Sequence, residues 1–384
     1  MKLVCDKCAG CGACVYKCPY GAISLKINGR MEEIAFIDEK KCQYCGLCYK
    51  LCPQMNELEK KLPSKVYAAW TKNIEDYDTT SSGGVATTIS RNIILNGGIV
   101  YGATCMPNGF VKHIRIDNEI LLEKIKGSKY VESSFSCVLE PIIEDLNNGL
   151  IVLVIGTPCQ IAAVRSITPD ILKKNLFLID LICHGVPPSK YYLEYINNII
   201  MQSQKSIEVV FRRKKYLITI FQDNKILYRC NYRKDLYYRA FMYGLISREN
   251  CYSCRYAQIN RISDITLGDF WGLNRLETNI LKIPKFVSCV LVNTKRGKAL
   301  IESVAEECNM EERLLEEAMA GNTNLREPSS KHKDRSKFIK KIQDCSFIEA
   351  VNYTSIKREI CIEKLMDIIK MPYRLIRYKN YYDY

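Results

Sequence analysis

A chain of 384 residues with a formal net charge of +14 exceeds the usual size of a single domain and has material for two or three, each with its own core. Twenty cysteines, nine of them before residue 53, exclude an evenly spread disulfide framework and point to ligand chemistry. The basic excess is weak evidence for nucleic acid, because it counts every thiol as neutral, whereas a four-iron cluster on four thiolates brings about two negative charges. No charged stretch followed by an apolar one stands at the start, and no run reaches the 18 apolar residues of a spanning helix, so the expected setting is the reducing cytoplasm.

Residues 1–60 carry CxxCxxCxxxCP twice, as "CAGCGACVYKCP" from Cys8 and "CQYCGLCYKLCP" from Cys42. Three closely spaced thiolates wrap three corners of one cubane, and in two-cluster ferredoxins the fourth cysteine completes the other cluster. Applied to this chain, Cys8, Cys11 and Cys14 share a [4Fe-4S] cluster with Cys52, and Cys42, Cys45 and Cys48 share the second with Cys18. Gly10, Gly12, Ala13 and Gly46 let backbone amides approach the sulfurs. Zinc knuckles or a disulfide knot are the weaker reading of two complete copies. Cys5 is left over, as a spectator or an alternative ligand. The region resembles the bacterial two-cluster ferredoxin at all eight ligand positions.

"KKLPSK" at 60–65 reads as a linker. Beyond it, residues 66–165 and 166–327 alternate strands and helices: 97–103, 150–156 and 175–183 are strand candidates, and the alternation predicts a mostly parallel sheet. Residues 207–231 predict an antiparallel meander turning at Asp223 and Asn224, and "FVSCVLVNT" and "RGKALIESVAEEC" add a strand and a helix. Residues 328–384 form a charged tail with a basic amphipathic helix near 356–370, whose packing or solvated reading outweighs membrane docking.

Cys159 follows one apolar strand and Cys183 another. If both strands are parallel, the two thiols lie on the same carboxyl edge, where open α/β sheets place ligands. The "CYSC" pair, Cys251 and Cys254, supplies two more thiols, and four can hold a third cubane or a structural zinc. In "TTSSGGVATTISRNII", Ser82, Gly83 and Gly84 precede a helix, a phosphate site or an ordinary capped start. "GSKYVES" sets Ser128, Lys129 and Tyr130 in one short segment, and Thr157 and Pro158 form the turn ahead of Cys159.

"SSGGVAT", "HIRI…IKGSKYVES", "GTPCQIA", "DLICHGVP", "RENCYSCRYA" and "SDITLGDFWG", in this order, resemble the family of coenzyme F-420 hydrogenase/dehydrogenase beta subunits from about Val66 to about Thr294. The resemblance implies an FAD-binding domain whose own [4Fe-4S] cluster falls on Cys159, Cys183, Cys251 and Cys254. Its flavin contacts fall on Ser82, Gly83 and Gly84, on Ser128, Lys129 and Tyr130 (GSKY here for a TKY-like loop), and on Thr157 and Pro158. The expected architecture is an α+β dicluster ferredoxin-like N-terminal domain, then an α/β flavin and iron–sulfur domain with an added antiparallel meander. The expected function is an oxidoreductase that passes electrons from ferredoxin or another redox protein through the clusters to FAD and on to a small organic acceptor. His184 is a candidate proton donor against a helix-start role, and Asp264 and Asp269 position substrate or cap turns. The competing class is a non-catalytic electron-transfer subunit. A nucleic-acid reading rests only on composition and "FRRKKY" at 211–216, so no nucleic acid and no transmembrane segment are expected.

Overall fold

The computed structural model describes residues 2–200, 206–214, 216–274, 283–362 and 365. In the N-terminal unit, Glu33–Ile37 lies between Lys2–Leu3 and Ile23–Ile27 in an antiparallel sheet, and two short helices, Ala13–Tyr16 and Leu47–Leu51, start inside the two cysteine runs. Both start from a glycine in the left-handed region, Gly12 at φ 79° and Gly46 at φ 73°, where a Cβ costs roughly 1–2 kcal/mol. The same step between the two runs carries Gly10, at φ 67°, onto Tyr44, at φ 53°, so the halves repeat in backbone as well as in sulfur. Their surroundings differ. A Cβ on Gly12 would stand 2.5 Å from Ser136 Cβ in the following domain, while one on Gly46 would meet nothing within 4 Å. Gly12→Ala should therefore lower the urea unfolding midpoint clearly more than Gly46→Ala, and equal losses would show that only the backbone angle matters.

The 60–65 stretch is not a free tether. Lys61 and Arg261 exchange two backbone hydrogen bonds of 2.8 Å, Pro63 is buried, and the chain passes straight into the strand Lys65–Thr71. Further contacts seat the N-terminal unit on the second domain: the Tyr256 hydroxyl donates to Pro53 O at 2.9 Å and the Tyr191 hydroxyl to Arg30 O at 2.7 Å.

The large sheet has eight strands, in the spatial order Cys308–Glu312, Lys65–Thr71, Ser288–Val292, Ile265–Asp269, Leu176–Leu181, Val152–Gly156, Ile99–Cys105 and Val111–Ile116. Only the four from Ile265–Asp269 to Ile99–Cys105 run parallel to one another; the flanking pairs are antiparallel. The sheet is thus mixed, which corrects the expected mostly parallel one. Parallel neighbours need a crossover of a dozen or more residues, and the connection from Cys105 to Val111 is too short for one, so that strand returns as a hairpin through Gly109 at φ 82°.

The parallel strands are apolar on both faces, as doubly covered strands must be. Val152 and Val154 pack with helices Leu139–Asn147 and Pro158–Ile167. Leu153 packs with Val85–Leu95 and Lys295–Glu302 on the other side. The meander forms as expected from Ile207–Val210, Leu217–Gln222 and Lys225–Asn231, with Asp223 and Asn224 at positive φ in its turn. Part of the supposed charged tail belongs to this second core: Phe338 and Phe347 are fully buried beside Tyr191, Tyr195 and Tyr237. The helix expected near 356–370 is present over 356–362, and most of the remainder, with the tyrosine-rich end, lies outside the described residues. Among the described residues no helix is long and apolar enough to cross a membrane.

Candidate redox site

A cavity of about 180 Å³ in the N-terminal unit is lined by Cys18 together with Cys42, Cys45 and Cys48, the crossed grouping. Cys52 sits with the other set: the Cys11 thiol is pushed well above its ordinary value by burial, and then by the neighbouring Cys8, Cys14 and Cys52. Cys14 is pushed up to about 12, first by burial and then by Cys8 and Cys52. Backbone amides point at the sulfurs, Gly10 and Ala35 at Cys8, Ala22 at Cys18 and Tyr44 at Cys42, each at 3.4 Å. Such donors stabilise anionic sulfur. The second run faces outward, with Cys45 exposed and Tyr44 at 78 % exposure. The first run faces the second domain, where Cys11 joins the apolar seam of Tyr256, Cys159 and Cys254. Cys5 lies near Cys52, whose thiol feels its charge.

The four downstream thiols also come together. Cys159 follows Pro158 in the first turn of a helix, its sulfur 3.3 Å from Thr157 Oγ1. Cys183 follows the adjacent strand and accepts from the Gly185 amide at 3.4 Å. Gly185, at φ 102°, leaves room for the loop to lie against Cys251, whose Cβ would be 3.3 Å from an added Cβ. Burial first, then mutual charge, pushes Cys159 up to about 11 and Cys183 up to about 12, and it raises Cys251 well above its ordinary value. Thiols this reluctant to ionise are inert when free; a metal group that takes the place of their protons supplies the missing positive charge. Among the described residues no three His, Cys, Asp or Glu side chains close around a point that a single metal ion would occupy.

A cavity of about 720 Å³ runs from Cys159 and Cys183 to Gly10 and Cys11 and past the helix start at Gly84. Ser82, Gly84, Ser128, Lys129, Tyr130, Thr157 and His184 line it, whereas Gly83 and Pro158 do not. Gly83 serves close approach to the sheet instead: its amide donates to Ser288 Oγ at 3.0 Å, and a Cβ would stand 2.3 Å from Ala69 O. Lys129 donates to Ile125 O and Lys126 O, and burial depresses its pKa to about 7. His184 Nδ1 lies 3.0 Å from Asn324 Oδ1 and its ring packs edge-on against Phe241. Asp264 is structural, accepting from the Leu178 amide and the Thr294 hydroxyl. Asp269 pairs with Arg212, whose guanidinium lies 4.5 Å from the Tyr216 ring centre at the cavity wall.

Sequence reading missed His113, which faces the same cavity from the strand Val111–Ile116. The signal was its place two residues from Val111 on the inward side of that strand. Nε2 donates to Ile155 O at 3.0 Å, because a carbonyl only accepts, so Nδ1 accepts the Ser133 hydroxyl at 2.7 Å. Burial lowers its pKa to about 4. Its unfolded counterpart takes a proton near pH 6.5, so folding is penalised progressively as pH falls from about 6.5 towards 4, and not above 6.5. The unfolding midpoint should drop less between pH 7.5 and 5 in His113→Gln than in the parent chain; parallel curves would remove His113 as the cause.

Residues 150–318 match the family model for the C terminus of the coenzyme F420 hydrogenase/dehydrogenase beta subunit, and residues 7–56 match the 4Fe-4S dicluster domain. The F subunit of the F(420)H(2) dehydrogenase of Methanosarcina mazei is 25 % identical over 187 residues, which cover 46 % of this chain and 53 % of that protein. The coenzyme F420-dependent sulfite reductase of Methanocaldococcus jannaschii is 24 % identical over 337 residues, covering 79 % of this chain and 47 % of that protein. The chain spans about half the length of these two curated relatives. A chain of the solved F420-reducing [NiFe] hydrogenase complex from Methanosarcina barkeri aligns over 77 % of this chain and 93 % of its own length, at 18 % identity and a TM-score of 0.46.

Proposed function

Because residues 150–318 match the C-terminal model of the coenzyme F420 hydrogenase/dehydrogenase beta subunit and residues 7–56 match the 4Fe-4S dicluster domain, we propose that this chain is a ferredoxin-linked iron–sulfur flavoprotein oxidoreductase. The observation that carries this reading is the order of the thiols: an outer set of four with Cys45 exposed, an inner set against the domain wall, a third set behind it, and then the large cavity. FAD bound in that cavity would collect single electrons into the pair that an organic acceptor needs. The roomy, mostly apolar wall from Gly84 past Tyr130 to Thr157 would hold it, with amides at the helix start of Val85–Leu95 facing a phosphate. The Ser133 hydroxyl, fixed by His113, and the Lys129 ammonium stand at the same wall as groups that orient the acceptor or hold a proton.

The outer set receives electrons. Lys40, Lys41 and Lys50 are exposed around Cys45 and Tyr44, and such a rim attracts an acidic one-electron carrier protein. Stopped-flow reduction by a reduced ferredoxin should slow with rising ionic strength and fall by about tenfold in Lys40→Glu/Lys41→Glu, with reduction by dithionite unchanged. A rate indifferent to both would place the docking face elsewhere. A second reading, a non-catalytic electron-transfer subunit, is favoured by the relative named as a dehydrogenase subunit. Turnover of a small organic acceptor by the isolated chain separates the two, since a pure relay turns over none.

A further inference from the structure

Arg248 is 1 % exposed and carries a charge that the route above does not use. Its Nη2 donates to Cys8 O at 3.3 Å and to Glu33 O at 2.7 Å, and Nη1 meets the Glu132 carboxylate. Among the described residues its Nε has no hydrogen-bond partner. Its own carbonyl accepts from the Cys251 amide at 3.0 Å. A single side chain and its backbone therefore span from a residue of the inner ferredoxin set to one of the four-thiol set. The fit is close: a Cβ on Gly10 would lie 3.1 and 3.2 Å from the two terminal nitrogens.

We propose that Arg248 is the bridge between these two sets, both as the hydrogen-bonded path an electron takes from Cys8 to Cys251 and as a buried charge that raises the reduction potential of the clusters beside it. This rests on the three-cluster reading. One electron leaves the inner set and one arrives on the four-thiol set; no proton or bond is exchanged, and the guanidinium stays charged throughout. A charge shielded from water acts strongly on its neighbours, and Glu132 offsets it in part. A neutral hydrogen-bonding side chain would lock the two domains together without setting any potential.

The test uses the full chain, purified anaerobically with its iron counted, and a potentiometric titration followed by electron paramagnetic resonance. In Arg248→Gln the equilibrium constant for reducing the inner cluster should fall about tenfold, which is 59 mV for one electron, while Arg248→Lys keeps most of the parent value. Glu132→Gln, which removes the opposing charge, should shift the potential upward. Full iron with unchanged potentials in Arg248→Gln, or shifts of the same sign in Arg248→Gln and Glu132→Gln, would overturn the proposal. If Arg248→Gln fails to hold its iron, Glu132→Gln alone decides: a rise supports the bridge, and an unchanged or lower potential refutes it. A parent chain without the third cluster would sink the functional reading itself, and iron content reports that separately.

Discussion

Cys254→Ser should leave about eight of roughly twelve irons, keep the flavin, and slow ferredoxin-driven reduction of that flavin by orders of magnitude. Cys254 closes the turn Glu249–Ser253 and shares an apolar seam with Cys11, Tyr256 and Cys159. It therefore stands where the inner ferredoxin set meets the four-thiol set. Serine is nearly isosteric but a far weaker ligand, so the lesion is one of coordination more than of packing. The eight N-terminal ligands lie elsewhere, and dithionite should still reduce their clusters. Iron and flavin assays with stopped-flow spectroscopy check this. Loss of the iron with an unchanged rate would make the third site structural, and zinc in place of iron would return it to a zinc site.

Asp180→Asn is expected to cost about 3–5 kcal/mol, the usual consequence of removing one member of a buried ion pair. Asp180 is fully buried, at the end of the strand that leads into Cys183. It accepts from Arg261 Nη2 at 3.0 Å and from the Thr266 hydroxyl at 2.5 Å. Burial raises its pKa and the Arg261 charge pulls it back. Arg261 in turn donates to the carbonyls of Tyr256 and Gln258 at 2.8 and 3.2 Å, and so holds the segment after Cys254 in place. With an amide at residue 180 the guanidinium loses its counter-charge, and the third cluster should be lost along with stability. Replacing both partners by apolar residues should cost less than the sum of the single changes. Chemical denaturation measures each cost, and a loss below about 1 kcal/mol in Asp180→Asn would show that this pair does not hold the site.

The dicluster domain was legible, with its eight candidate cysteines, because a cubane imposes a spacing on the chain that survives as CxxCxxCxxxCP. The third set was not legible in that way: Cys159, Cys183 and the Cys251–Cys254 pair come from three separate stretches, strand order brings only Cys159 and Cys183 to one edge, and the pair arrives on the turn Glu249–Ser253. The parallel centre of the sheet could be read from alternation, but the edge strand Cys308–Glu312 could not, since its burial runs from buried to exposed without a period of two. Arg248 and Glu132 are 116 residues apart, and Arg248 and Cys8 are 240 apart. No local pattern announces such a contact. Phe338 and Phe347 were hidden among lysines for the same reason, because burial is decided by helices that arrive from elsewhere in the chain.

The most direct measurement is the amount of iron, acid-labile sulfide and flavin per chain after anaerobic purification of the whole protein. The three-cluster flavoprotein account predicts about twelve irons, about twelve sulfides and one FAD. About eight irons with one zinc and no flavin would contradict it.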